Sequence, residues 1–196
     1  MIRQALMTAS AAAAFAVMPL LGAAQAADRY KIDPMHTNIL FVVDHLGFSN
    51  MIGQFQDFEG SFDFDGKSVE GAAVKIVVKT ASVDTDHEAR DKHLKSPDFF
   101  NAQEFPEMTF VSTGFESTGE KTAKMTGDLT LAGVTKPITL DVTFNKADKF
   151  PMDPNVFIAG FSAKGTLNRL DYGVKYAAGA IGDNVMLWIE AEGHKQ

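Results

Sequence analysis

The strongest constraint on the fold is an alternation of period two that runs almost without fault through residues 122–144. Ala123, Met125, Gly127, Leu129 and Leu131 fall on one face, with Thr122, Lys124, Thr126, Asp128 and Thr130 on the other. After Ala132-Gly133 the pattern resumes with Val134, Ile138, Leu140, Val142 and Phe144. A helix needs apolar residues every three or four positions, so this register dictates strands with one face in and one face out. Pro137 sits inside the second run, and a residue without an N–H belongs on an edge or at a bulge.

The same grammar extends both ways. Tyr30 to His45 reads as a short strand, a break at Asp33-Pro34, and a long strand with Ile39, Phe41 and Val43 on one face and Leu40 and Val42 on the other. Apolar residues on both faces predict cover on both sides. Between Met51 and Phe64, Phe58, Gly60, Phe62 and Phe64 share a face while Phe55 is out of phase. That slip predicts a bulge at Gln56-Asp57. Asp65-Gly66 predicts a tight hairpin into Ala72–Thr80, where Val74, Ile76 and Val78 point inward. Met108–Ser117 and Lys121–Leu131 flank a second hairpin at Thr118-Gly119-Glu120. Lys146–Pro154 reads as a polar loop, Val156–Asn168 as a strand, Arg169–Asp183 as a long connection and Asn184–Glu192 as the closing strand.

About eight long strands joined mostly by short turns predict an all-β fold, an eight-stranded antiparallel barrel with a short helical insertion. Closure removes the exposed edges such strands would otherwise leave. Eight strands enclose an interior either filled by side chains or holding one small ligand. Small residues on the expected inner faces (Ala159, Ala163, Gly165, Gly127) are expected to leave room. With 16 Phe against 3 Tyr and 1 Trp, the interior suits greasy contents over a hydrogen-bonded ligand, although a solid Phe-rich core accounts for the same composition.

The helical insertion lies between Asp84 and Phe110. A turn of helix over His87–Leu94 is expected, then a short turn through Phe99 and Phe100 with Ser96 as cap and Pro97 in first position. Leu94, Phe99, Phe100 and Phe105 are expected to point inward beneath charged heads.

Arg3, a mostly apolar run from Ala5 to Ala24 and the small-x-small triplet Ala24-Gln25-Ala26 read as a secretory signal peptide over residues 1–26, which leaves one domain over 27–196 outside the cytoplasm. Its removal takes away one Arg and no acid, so the formal charge of −7 becomes −8. An acidic domain is a poor partner for nucleic acid. With no cysteine, disulfides, thiolate metal sites, a catalytic thiol and a lipidated cysteine are excluded. No stable membrane insertion is expected.

Signals of catalysis are missing: G-x-S-x-G, a Walker loop, G-x-G-x-x-G and H-E-x-x-H are all absent. Asp91, His93 and Ser96 have the residue types of a triad, but crowding them into one turn works against alignment. His36 and His45 lie nine residues apart, about 30 Å along a regular strand. They cannot share a metal. A metal or cofactor protein drawing on His36, His45, His87 and His93 is the alternative reading.

Five stretches carry a resemblance: HTNILFVVDHLGFSNMIGQF from His36, DKHLKSPDFFNAQEFPEMTF from Asp91, GDLTLAGVTKPITL from Gly127, LNRLDYG from Leu167 and GDNVMLWIEAE from Gly182. In this order they resemble the YceI-like family of secreted, lipocalin-like polyisoprenoid-binding proteins, over roughly residues 29–192. The resemblance implies a lipocalin-like barrel around the chain of a long isoprenoid, such as a polyprenyl pyrophosphate or a quinone tail, in a periplasmic protein that is often a homodimer. It implies no cofactor beyond the bound lipid and no reaction.

On that reading the apolar lining comprises Phe41, Val43, Phe62, Phe64, Val78, Met125, Leu140, Val142, Phe161 and Leu187. A polar or anionic head would want a cation and N–H donors, which His45, Arg90 and His93 supply near the expected mouth. Arg90 pairing with neighbouring acids on a wet face is the plain alternative.

Overall fold

The computed structural model describes residues 27–196, so the expected signal peptide lies outside the described residues. Eleven strand segments form one antiparallel sheet: β1 (Asp28–Ile32), β2 (Asn38–His45), β3 (Ser49–Phe55), β4 (Phe58–Phe64), β5 (Ala73–Lys79), β6 (Val83–Asp84), β7 (Glu107–Ser117), β8 (Thr122–Leu131), β9 (Val134–Phe150), β10 (Asp153–Asn168) and β11 (Ile181–Lys195). A pairing of β1 with β11, Tyr30 opposite Lys195, closes it.

These segments make eight barrel strands, three of them interrupted. β1 and β2 both pair with β11 and are one strand broken at 33–37. β3 and β4 are one strand broken at Gln56-Asp57, where the phase of Phe55 slips. β5 and β6 are joined through a 3-10 turn at Thr80–Ser82. Each break bends its strand round the closed sheet. The two-residue turn at Ala132-Gly133 and the central pair Leu46-Gly47 of the three-residue turn over 46–48 have positive φ at both positions, the type I′ geometry that matches strand twist.

Three expectations need correction, and one about Pro137 holds. The Asp65-Gly66 hairpin is an eight-residue loop over 65–72. The polar loop over Lys146–Pro154 is mostly strand: β9 runs to Phe150 and β10 begins at Asp153, so the hairpin projects past the barrel body, exposed over much of both faces. Pro137 stands at a local edge as expected: β9 pairs there with β8 alone, the β10 ladder ending at Leu140 opposite Gly165. The outer face of β2 is not fully covered by the described chain: Leu40 and Val42 are half-buried beside exposed Ile52, Met186 and Trp188.

Ala163 lines the interior cavity, but the two glycines do not leave the gaps expected of them. A Cβ on Gly127 would lie 2.3 Å from the Phe110 ring, and one on Gly165 would lie 2.4 Å from Leu140. The glycines are seats for large side chains of the neighbouring strand, so the interior space has another origin.

Candidate functional site

That space runs along the barrel axis. The inward residues of β8, from Ala123 to Leu131, all line it except Gly127, a span of about 26 Å at ~3.3 Å per residue. The cavity holds about 500 Å³ and its body is almost wholly apolar. Phe41, Val43, Phe62, Phe64, Val78, Met125, Leu140, Val142, Phe161 and Leu187 all lie on its wall. Period-two alternation places them there: each strand turns every second side chain inward.

Aromatic groups stand at both ends. At one end Phe100 meets Phe41 and Phe55 edge-on, with centroids 6.4 and 5.5 Å away. Phe100 belongs to the insertion, whose helix α1 (Glu88–Leu94) is capped by His87 Nδ1 accepting the Arg90 N–H. Leu94, Phe99 and Phe100 reach the cavity from this segment, while Phe105 packs on the Ala132-Gly133 turn. The connection over 169–180 completes the seal. Arg169, buried, donates from Nε to Gly182 O, from Nη1 to Val174 O and Tyr176 O, and from Nη2 to Ile181 O and Asp183 Oδ1. All five of its N–H groups are satisfied, so one side chain fixes the loop that Val174 carries into the cavity.

At the other end Phe64, Phe144 and Phe161 form a collar, each pair of centroids 5.1–5.4 Å apart. Every exposed residue of the cavity wall lies here, in the β4–β5 loop (Lys67, Ser68, Glu70) or around the β7–β8 turn (Ser117, Gly119, Glu120, Lys121, Thr122). This end is the mouth. Lys121 Nζ stands 5.8 Å from the centre of the Phe144 ring. Asp63, also on the wall, is held by Arg29 through two hydrogen bonds of 2.8 and 2.9 Å. That guanidinium keeps its carboxyl below the usual range.

The polar candidates of the sequence are not on the cavity wall. His45 is exposed at the end of β2, beside the sealed end. Arg90 directs Nε to Thr85 Oγ1 and Nη2 to Thr85 O, so its fork is occupied. His93 Nε2 shares a hydrogen bond with Asp98 Oδ2 at 2.8 Å, and its ring packs on Phe99 and Tyr176. The mouth is at the opposite end of the barrel from all three, because the helical insertion is a plug. Lys67 and Lys121 were missed because loop lysines beside acids carry no signal in sequence.

The triad-like residues are dispersed as well. Asp91 Oδ1 accepts from Thr85, while Ser96 Oγ accepts the Asp98 N–H. The four histidines of the metal reading do not converge: His87 caps a helix, His93 faces Asp98, His45 ends a strand, and His36 lies beside Asp33.

A profile of the YceI-like domain matches residues 30–193. A UPF0312 protein of Pseudomonas putida (strain W619) is 46% identical over 180 residues, 90% of this chain and 92% of that one. Among solved structures, the YCEI protein of Campylobacter jejuni superposes with a TM-score of 0.68 at 34% identity, covering 78% of this chain and 90% of that one. A polyisoprenoid binding domain from Saccharophagus degradans shares the fold at 13% identity, with a TM-score of 0.65 over 85% of this chain and 98% of that one.

Proposed function

The chain belongs to the YceI-like family, and on that premise we propose that it binds the tail of a long-chain isoprenoid lipid inside the barrel, as a carrier or store outside the cytoplasm. The observation that carries this reading is the cavity itself: about 500 Å³, walled by phenyl rings and aliphatic side chains, sealed by Phe100 at one end and open at the other. Such a space has nothing to offer a polar solute and much to offer a hydrocarbon chain. The shared fold of a polyisoprenoid binding domain supports the ligand class.

Magnitude favours a long tail. Burying ten methylenes is worth roughly 8 kcal/mol gross. Immobilisation takes back at least about 4 kcal/mol, which leaves only millimolar affinity. Several isoprene units are needed to exceed that. The tail enters first and the polar head stays at the mouth, between Lys67 and Lys121, where cations and water are both present. That assignment replaces His45, Arg90 and His93 as the head-group contacts. Binding a hydrocarbon tail needs no proton transfer, and the role we propose is one of binding.

Calorimetric titration with polyprenyl phosphates of increasing length tests the proposal. Affinity should rise with each isoprene unit until the cavity is full, and Lys67→Met with Lys121→Met should weaken a phosphate head while leaving a quinone unchanged. Affinity independent of tail length would overturn it.

A further inference from the structure

Outside the barrel, behind the aromatic collar, two short motifs from distant parts of the chain meet at one corner. Asp33 and His36 come from the break between β1 and β2, while Glu192 and His194 alternate along β11. Ala191 lines the cavity, so Glu192 and His194 face outward. One ligand atom each of Asp33, His36 and Glu192 lies within 4.8 Å of the others. His36 Nδ1 is 2.6 Å from Asp33 Oδ2, and His194 Nε2 is 3.6 Å from that same oxygen. His36 and Glu192 also line an outer groove of about 300 Å³ along the β9–β10 hairpin.

We propose that Asp33, His36, Glu192 and His194 form a site for a divalent transition-metal ion of the zinc class. Two imidazoles and two carboxylates are the hard-to-borderline donor set such ions take. Metal–ligand bonds of about 2.0 Å at tetrahedral angles set ligand atoms roughly 3.3 Å apart. The 3.6 Å separation of His194 from Asp33 is already near that value, and the 2.6 Å contact of exposed His36 opens by rotation of its ring. The backbone beneath is pinned. Asp33 N–H donates to Glu192 O at 2.9 Å, Glu192 N–H donates to Thr37 Oγ1, and Asp33 Oδ1 accepts the Met35 N–H, which orients the carboxylate and leaves Oδ2 for the ion.

Nearby cations are few. Lys31 lies opposite His194 across the ladder, Lys149 shares the groove, and Lys146 in the same groove is engaged by Asp148 at 3.0 Å. An ordinary corner in which His36 hydrogen-bonds Asp33 and His194 merely lies near the same carboxylate is the competing account, and it predicts no metal.

Isothermal titration of the tag-free, chelator-treated chain with zinc chloride separates the two. The site predicts one ion per chain, binding at least about tenfold weaker in His36→Ala and in Glu192→Ala, and unchanged binding in His45→Ala, His87→Ala and His93→Ala. Zinc should also raise the thermal midpoint of the parent chain and not of Glu192→Ala, whose backbone bonds survive the change. No saturable binding, or binding that His36→Ala and Glu192→Ala both leave intact, would overturn the assignment.

Discussion

Phe100 and Phe55 meet edge-on with ring centroids 5.5 Å apart, and this contact joins a loop inserted between two strands to the wall of the barrel. The insertion therefore ends the cavity instead of decorating its surface. Phe100→Ala removes a half-buried ring from this contact and from Phe41, at an expected cost of about 2 kcal/mol, below that of a fully buried ring. Urea denaturation measures it. A bound hydrophobic probe should also leave faster, since the seal is breached.

Arg169 is the second fastening of that end. Arg169→Lys keeps the charge but has too few donors, in the wrong geometry, for four carbonyls and Asp183. Unmet acceptors in a buried position should cost about 3 kcal/mol, read as a lower denaturation midpoint. A change within experimental error would show that the loop holds without it.

Two substitutions of small residues on the inner wall should behave oppositely. Ala163→Phe extends a ring into free space, so the fold should persist while lipid capacity falls. Gly127→Ala places a methyl 2.3 Å from the Phe110 ring and should destabilise by about 1–3 kcal/mol without touching the cavity volume. Thermal unfolding and ligand stoichiometry, measured together on both variants, separate the effects.

The mouth has a pH signature. Arg29, by hydrogen bond and charge, lowers the Asp63 carboxyl below its unfolded value. Stability from this pair is complete above the ordinary carboxylate range, about pH 4, and is lost as pH falls through the depressed folded value. The thermal midpoint of the parent chain should thus fall toward that of Asp63→Asn as pH drops below about 4. Parallel curves for the two chains would contradict the pairing.

The barrel was legible because its strands have one wet and one dry face. Met125, Leu129, Leu140 and Val142 announce that in their spacing alone, and they stand on the cavity wall. Where both faces meet water the signal vanishes, which is why Lys146 to Phe150 read as loop and fold as strand. Gly127 misled for another reason: a missing side chain looks like space in one strand, but the neighbouring strand fills it with Phe110. Arg169 and the corner of Asp33, His36, Glu192 and His194 depend on residues brought together by closure, and no local pattern reports such meetings. The mouth was misplaced because charge is densest around α1, whereas the inward rings of that same segment decide which end is shut.

The most direct measurement is mass spectrometry of the organic extract of untagged protein purified from the cells that make it. The account predicts about one long isoprenoid lipid per chain, and markedly less from Ala163→Phe. An extract free of lipid, from a barrel whose high-resolution crystal structure shows the cavity filled by its own side chains, would contradict it.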